Sequence, residues 1–566
     1  NKHVLQMRDG IHAVGCHCLF ALIVLGAMCA VAIPLPAKNS RKNSLAAAFL
    51  VKHAPLHLSG RLHEPPHRLQ DASKVTLGNL TSYAGFFTVD AEKASNMFFW
   101  HFPALNGDAK APLLIWLQGG PGASSMFGLF HEIGPYELQR DPTSKHGEIK
   151  LSQRAMTWNN RYSLLFIDNP IGAGFSYTES EDGYPTTEEE VSLNLLSLLQ
   201  QFYLVFPSKA KVPLYVTGES YAGHYIPALG YRIHQHNALL DQNNPAFIPM
   251  EGLAIGDGWI DPINMVPAYP AMLEGMGLID ATQQKIFESY TQRITSAIKA
   301  KYMSTAFSIW DEMINGDLFP YDSLFLNVTG SYDYDNSLNT QAPSSFSLYA
   351  EFLDQMGTRA ALHVGNASFG GNSSDTEKAL ASDFMRSMLP ELQTLIPHYK
   401  VLIYSGNLDI IVGAPLTDAF MTKLVFNGSA AFHAGERMPY KVGGEDDPEV
   451  AGYVKHVGNL TQVVVRGAGH ILPHDQPERG LDMISRFVDS NAGWCSCDDS
   501  CHKQECCPSG TCVSSQKLAD AARARAVEAG GKGRGGGRHA KRNGRAERKG
   551  AAAKRLAAKS RGGVFA

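Results

Sequence analysis

A serine in the segment GESYAG, residues 218–223, follows the apolar run VPLYVT and precedes GHYIPALGYRIHQ, a helical pattern. A strand–turn–helix of this kind lifts a serine hydroxyl clear of the backbone, provided the residues around it are small, because the turn is sharp. Gly218 and Ala222 meet that requirement. Such a turn is as often structural as reactive, so the partners decide. Asp409 follows the apolar run KVLIY through SGNLD, and His470 follows QVVVR through GAGH. Serine, acid and histidine in that order, each just past a strand, suit acyl transfer. His470 would take the proton of Ser220 and return it to the leaving group, while Asp409 holds the imidazolium. WLQGGPGASS, residues 116–125, is a glycine-rich loop after an earlier strand. Its Gly120 amide and the amide of Tyr221, just after the serine, are the candidate donors to an oxyanion. Glu219, immediately before the serine, has no part in that chemistry and needs another reason to be there.

These residues need a scaffold that brings several strand ends to one edge. The strand-like runs LLIWLQ (113–118), SLLFID (163–168), PLYVT (213–217), GLAI (252–255), KVLIY (400–404) and QVVVR (462–466) include several that are apolar on both faces, as buried parallel strands are. Helical patterns lie between them. In one, Thr187 and Glu190 have capping-box spacing, and Val191, Leu195, Leu198 and Phe202 fall on one face. Strand–helix alternation predicts an α/β fold with a mostly parallel central sheet and helices on both faces. The rhythm breaks after Asp261-Pro262. Residues 263–348 carry helical pieces without a convincing strand and are expected to form a helical cap insertion between core segments 76–262 and 349–491.

With 566 residues, 44% of them hydrophobic and 18% charged, the chain is long enough for a large core and reads as globular. The formal charge of −4 conceals an asymmetry: residues 517–566 hold 15 Lys+Arg and 3 Asp+Glu, which leaves the remainder at −16. Any basic behaviour therefore belongs to the tail, and nucleic acid is not an expected partner of the folded body. The chain opens on Asn1 rather than Met, as a fragment or an extended reading frame would. Residues 1–37 hold Arg8, the run CLFALIVLGAMCAVAI and the small residues Ala30-Val31-Ala32, which predicts a cleaved signal peptide. An uncleaved anchor is the competing reading, since about 16 apolar residues are marginal for a span. Residues 38–75 lack periodicity and are expected to be a loosely packed or processed lead-in. Sequons at Asn79, Asn327, Asn366, Asn372, Asn427 and Asn459 fit a secretory route and are candidate glycosylation sites.

WLQGGPG, HEIGPY (131–136), WNNRYSLLFIDNPIGAGFSY (158–177), GESYAG, GDGWIDP (256–262), IYSGNLDIIV (403–412) and GAGHILPHDQP (467–477) resemble the serine carboxypeptidases, over roughly residues 75–490. The vitellogenic carboxypeptidase-like subgroup is the most similar, sharing Gln118 and the Asp257 of GDG. The resemblance implies an α/β-hydrolase fold and the triad Ser220, Asp409 and His470. It also gives Glu219 a purpose. Together with Glu132, and with Trp116, Gln118 and Gly119 completing the network, it implies a clamp for the substrate's terminal carboxylate. Two close carboxyls cannot both ionise cheaply, so one keeps its proton at mildly acidic pH and donates to an anionic substrate. Gln118 stands where most of the family has Asn, and Ala123 where cysteine is common. Ile471 corresponds to a position lining the pocket of the leaving residue, where its apolar side chain implies a preference for hydrophobic C-terminal residues.

The expected function is therefore removal of single C-terminal residues from peptides and proteins at acidic pH, through an acyl-enzyme on Ser220. The expected setting is a lysosome- or vacuole-like acidic compartment, or secretion. The alternative on the same scaffold is an acyltransferase. No metal or other cofactor is called for: His131, His224, His363 and His474 lack compact ligand spacing. No cysteine lies between Cys29 and Cys495, so the body must be stable without disulfides. The six cysteines of segment 495–512 are expected to form a small disulfide knot, with a zinc site as the competing reading. Residues 513–566 have too few apolar side chains to fold and are assigned no function. Membrane contact is expected only through an uncleaved N-terminal anchor, and self-association is left open.

Overall fold

Runs that are apolar on both faces become the inner strands of one sheet. The structure is a computed structural model describing residues 54–489 and Trp494, apart from 145–146, 319–320, 372 and 444–447, all within the unit that starts at His53. The expected signal region, the cysteine-rich segment, the basic tail and Asn372 lie outside the described residues.

Strands β1 (Lys74–Val75), β2 (Ser82–Asp90), β3 (Ser95–Phe102) and β4 (Leu113–Leu117) are followed by a separate hairpin, β5 (Tyr136–Arg140) and β6 (Ile149–Gln153). Next come β7 (Ser163–Ile167), β8 (Leu214–Glu219), β9 (Met250–Gly256) and β10 (Lys400–Gly406), then β11 (Met438–Tyr440), β12 (Gly452–Val457) and β13 (Leu460–Val465). All but β5 and β6 form one eleven-stranded sheet in the order β1-β2-β3-β7-β4-β8-β9-β10-β13-β12-β11. The six strands from β7 to β13 are parallel, and antiparallel strands flank them on both sides. The sheet is therefore mixed, with its parallel part in the middle.

Side chains alternate across each strand, so every inner strand serves two cores. Leu113, Ile115 and Leu117 enter one core with helices α2 (Glu188–Val205) and α3 (Ala222–Asn237). Leu114 and Trp116 enter the other, with helix α7 (Pro477–Asp489). On α2, Val191, Leu195, Leu198 and Phe202 are wholly buried. Each contributes roughly 1.5–3 kcal/mol of transfer free energy. Thr187 caps α2 by accepting from the Glu190 amide, but the Glu190 carboxylate reaches back to the Thr186 amide at 2.7 Å, one residue short of a closed capping box.

Residues 54–75 are packed despite their lack of periodicity. The Phe86 amide donates to the Leu56 carbonyl and the Phe86 carbonyl accepts from the Leu58 amide, both at 2.9 Å, and helix α1 (Pro66–Ser73) buries Leu69. Between β9 and β10 the described residues are helical or irregular. They include α4 (Ala281–Lys299), α5 (Met303–Trp310) and α6 (Ser374–Leu380). No helix among the described residues is long and apolar enough to cross a membrane.

Strand register assembles the site. Leu117 pairs with Gly218, Glu219 and Tyr404 both pair with Gly256, and Gly406 pairs with Val465. The strands thus end level, and their loops collect at one edge of the sheet, where open α/β sheets bind ligands.

Candidate active site

At the end of β8 the chain turns so sharply that Ser220 takes φ +62°, a left-handed conformation that non-glycine residues adopt at a cost. Hydrogen bonds hold it there. The Ser220 amide donates to Gly256 O, and the Ser220 carbonyl accepts from Gly223 and Trp259, all at 2.9 Å. The glycine-rich loop after β4 lies directly against this turn. A Cβ on Gly119 would stand 2.4 Å from the Tyr221 amide nitrogen and 2.6 Å from Ser220 Cβ. Gly119→Ala should therefore push the two loops apart and lower kcat by about 10²-fold, the order seen when an oxyanion donor is lost. Circular dichroism and Tm would show whether the fold survives. The loop is anchored from below by buried Asp168, which accepts from Ser124 Oγ at 2.6 Å, from the Ser125 amide at 3.0 Å and from the Phe175 amide at 2.8 Å.

His470 Nδ1 lies 2.8 Å from Asp409 Oδ2, and Asp409 Oδ1 accepts from the Val412 amide at 3.0 Å. Both side chains are buried. His470 and Ser220 share a cavity of about 220 Å³ whose lining also includes Gly120 and Tyr221. Burial alone would push the imidazole down. Asp409, Asp335 and Glu219 together outweigh it and hold His470 at about 9. The structure thus brings together Ser220, His470, Asp409 and the two candidate oxyanion donors.

Asp257, at the β9 end, accepts from the Gly406 amide at 2.8 Å, which fixes the loop carrying Asp409. Burial, and then the Asp409 charge, hold its own carboxyl well above the usual range. Asp257, Asp409 and His470 place donor atoms within 4.8 Å of one another. The bonds from Gly406, Val412 and His470 already occupy three of those four carboxylate oxygens, so the trio reads as one hydrogen-bonded unit. The sequence singled out Asp257 only through resemblance.

Glu219 and Glu132 sit outside that cavity, in a second polar nest. Glu132 ends a wide helical turn, Gly128–Glu132, and the Arg154 guanidinium donates to the Phe130 carbonyl within it and to the Gly134 carbonyl just after it. Trp116 Nε1 donates to Gln118 Oε1 at 2.9 Å, which leaves Gln118 Nε2 to donate to Glu219 Oε1 at 2.7 Å. Neither Glu132 oxygen nor Glu219 Oε2 is met by a donor from the described protein. Burial raises both carboxyls, Glu132 to about 8, and the Glu132 charge adds to the rise of Glu219. One proton is therefore retained between them. A proton on Glu219 removes one of the charges that raise His470, and so moves the imidazole down toward the neutral form that can accept a proton at acidic pH.

Ile471 is buried next to His470 but is absent from the lining of the 220 Å³ cavity. Among the other histidines, the ring nitrogens of His224 face the Trp259 and Arg386 carbonyls, that of His363 faces the Lys74 carbonyl, and His474 faces the His131 carbonyl. Asn79, Asn327, Asn366, Asn427 and Asn459 are all exposed.

A mixed sheet with helices on both faces, a strained serine at a strand end and a hydrogen-bonded His–Asp pair beside it define an α/β-hydrolase. The fold agrees: the crystal structure of Kex1, a prohormone-processing carboxypeptidase from Saccharomyces cerevisiae, aligns with a TM-score of 0.65 at 23% identity, covering 76% of this chain and 98% of that one. The serine carboxypeptidase profile matches residues 74–490, and the chain belongs to that family. It is 44% identical over 416 residues to the mouse protein named "Probable serine carboxypeptidase CPVL", covering 74% of this chain and 84% of that one. A venom serine carboxypeptidase of Apis mellifera (41%, covering 77% of this chain and 90% of that one) and a vitellogenic carboxypeptidase of Aedes aegypti (39%, 77% and 89%) are also similar. The enzyme is a hydrolase acting on peptides, and the acyltransferase reading finds no support among these relatives.

Proposed function

We propose that the enzyme releases single C-terminal residues at acidic pH, with Ser220 as nucleophile. Ser220 Oγ attacks the last peptide carbonyl as its proton passes to His470 Nε2. The Gly120 and Tyr221 amides receive the developing oxyanion. His470 then gives the proton to the departing amine, and water, activated by the same histidine, frees the acyl chain. Asp409 keeps the Nδ1–H of the imidazole oriented throughout.

The observation that carries this reading is the pair Glu132 and Glu219, three of whose four buried carboxyl oxygens lack donors among the described residues. A shared proton lets the pair donate to a terminal carboxylate, with Trp116, Gln118 and Gly119 shaping the site around it. A substrate held there presents its last peptide bond, and no other, to the serine. Ile471 borders the leaving residue in this arrangement. An acidic compartment of the secretory pathway suits such a clamp, and the exposed sequon asparagines suit glycosylation on the way there.

Two peptides of one sequence, one with a free C-terminus and one amidated, test the proposal at pH 5 and pH 8 by mass spectrometry. Stepwise single-residue loss from the free peptide alone, faster at pH 5, is expected. Equal trimming of the amide, or internal cleavage, would overturn it.

A further inference from the structure

The cavity beside Ser220 and the carboxylate nest meet at the serine but have different walls. In the carboxypeptidase reading, on which this inference rests, the nest takes the leaving residue. The residue that supplies the acyl group must then turn its side chain into the cavity. Trp259, Trp310, Tyr334 and Phe384 give that cavity aromatic walls. Trp259 and Trp310 already donate their indole N–H groups, to the Phe384 carbonyl and to Tyr269 Oη, and both rings pack against Phe384, so they offer an occupant apolar aromatic surface rather than donors.

Three carboxyl groups share the lining with these rings: Asp317, Asp335 and Glu377, with neither lysine nor arginine among the lining residues. Glu377, on α6, is only 6% exposed, and its carboxyl has no hydrogen-bond donor among the described residues. Asp317 is held at the cavity's outer side by Asn315 Nδ2, 2.7 Å away, and its amide donates to Asp311. A buried carboxyl without a donor is costly, and a long cationic side chain remedies that while its stem packs on aromatic faces. An uncharged apolar side chain would fill the walls but leave Glu377 unpaired.

We propose that this cavity selects lysine or arginine as the penultimate residue of the substrate, through the carboxyls of Glu377 and Asp317 and the aromatic rings that share its lining. Peptides ending in a basic residue followed by the one to be released are then the favoured substrates.

Burial, with Asp317 and Asp311 facing it, raises Glu377 to about 8, against an opposing effect of Lys378; Asp335, His470 and the phenols of Tyr221 and Tyr334, which burial holds well above their usual range, complete the ionisable lining. A cation entering therefore displaces a proton, and the preference for it widens as pH rises from 5 to 7.

The test compares peptides identical except for lysine, norleucine or glutamate at the penultimate position, each ending in phenylalanine. Lysine is expected to exceed norleucine in kcat/KM by at least about tenfold, with glutamate slowest. In Glu377→Gln the lysine-to-norleucine ratio should fall toward one, and in the exposed Asp317→Asn it should fall by severalfold. Norleucine equal to or better than lysine in the unaltered enzyme, or a ratio unmoved by both substitutions, overturns the inference. Trimming of none of the three peptides would instead overturn the carboxypeptidase reading beneath it.

Discussion

Ser220→Ala is expected to lower kcat on a peptide with a free C-terminus by about 10⁵- to 10⁶-fold, the scale for removing the nucleophile of a triad. The loss falls on the chemical step, because the cavity walls and the carboxylate nest do not depend on the hydroxyl. Isothermal titration should show the variant still binding the free peptide and not the amide. Single-turnover mass spectrometry should detect no acyl-enzyme. A companion substitution isolates the backbone strain. Glycine accepts φ +62° at no steric cost, so Ser220→Gly is expected to be equally inactive yet more stable by an amount on the order of 1 kcal/mol. An inactive alanine variant that melts well below the parent would mean that Ser220 acts by holding the turn.

The second large effect is on pH dependence. Burial raises both Glu132 and Glu219, and the Glu132 charge raises Glu219 further, so the folded enzyme keeps a proton that the unfolded chain releases near 4.5. In the proposed clamp, the donor to the substrate carboxylate is present at pH 5 and is expected to be lost as pH climbs toward the Glu132 value of about 8. Above the pair's ionisation, kcat/KM for the free peptide should fall about tenfold per pH unit, carried mainly by KM. Stability follows the same sign. It is full below the unfolded value and declines through the window from 4.5 to about 8, at roughly 1.4 kcal/mol per pH unit for each retained proton. Glu132→Gln, which supplies a permanent donor, should flatten the alkaline limb and outperform the parent at pH 8. An alkaline limb unchanged in that variant would assign it to another group.

Much of this site is legible in the sequence because it lies where strands end. The inner strands are apolar on both faces, so KVLIY and QVVVR announce themselves, and Asp409 and His470 follow at short distances. The flanking strands are harder to read. SYAGFFTVD and SNMFFWHF form a hairpin whose turn lacks glycine and proline, with Ala94 at φ +49° supplying the bend. Residues 54–75 show no period because much of their packing is by backbone hydrogen bonds and isolated side chains such as Leu58 and Leu69. The acids of the cavity were invisible for a different reason. Asp317 and Asp335 come from irregular chain and Glu377 from a seven-residue helix, and only tertiary packing brings them to Ser220.

The order of the strands has a consequence for the living cell. Ser220 follows β8, whereas the acid and the histidine follow β10 and β13, the latter pair separated from the serine by the whole helical stretch. With the roles proposed for these residues, a chain emerging from the ribosome exposes its nucleophile long before it has anything to activate it. Proteolytic competence arrives only when β13 docks beside β10, within the last hundred described residues. On those roles, strand order alone keeps the serine unactivated for most of synthesis.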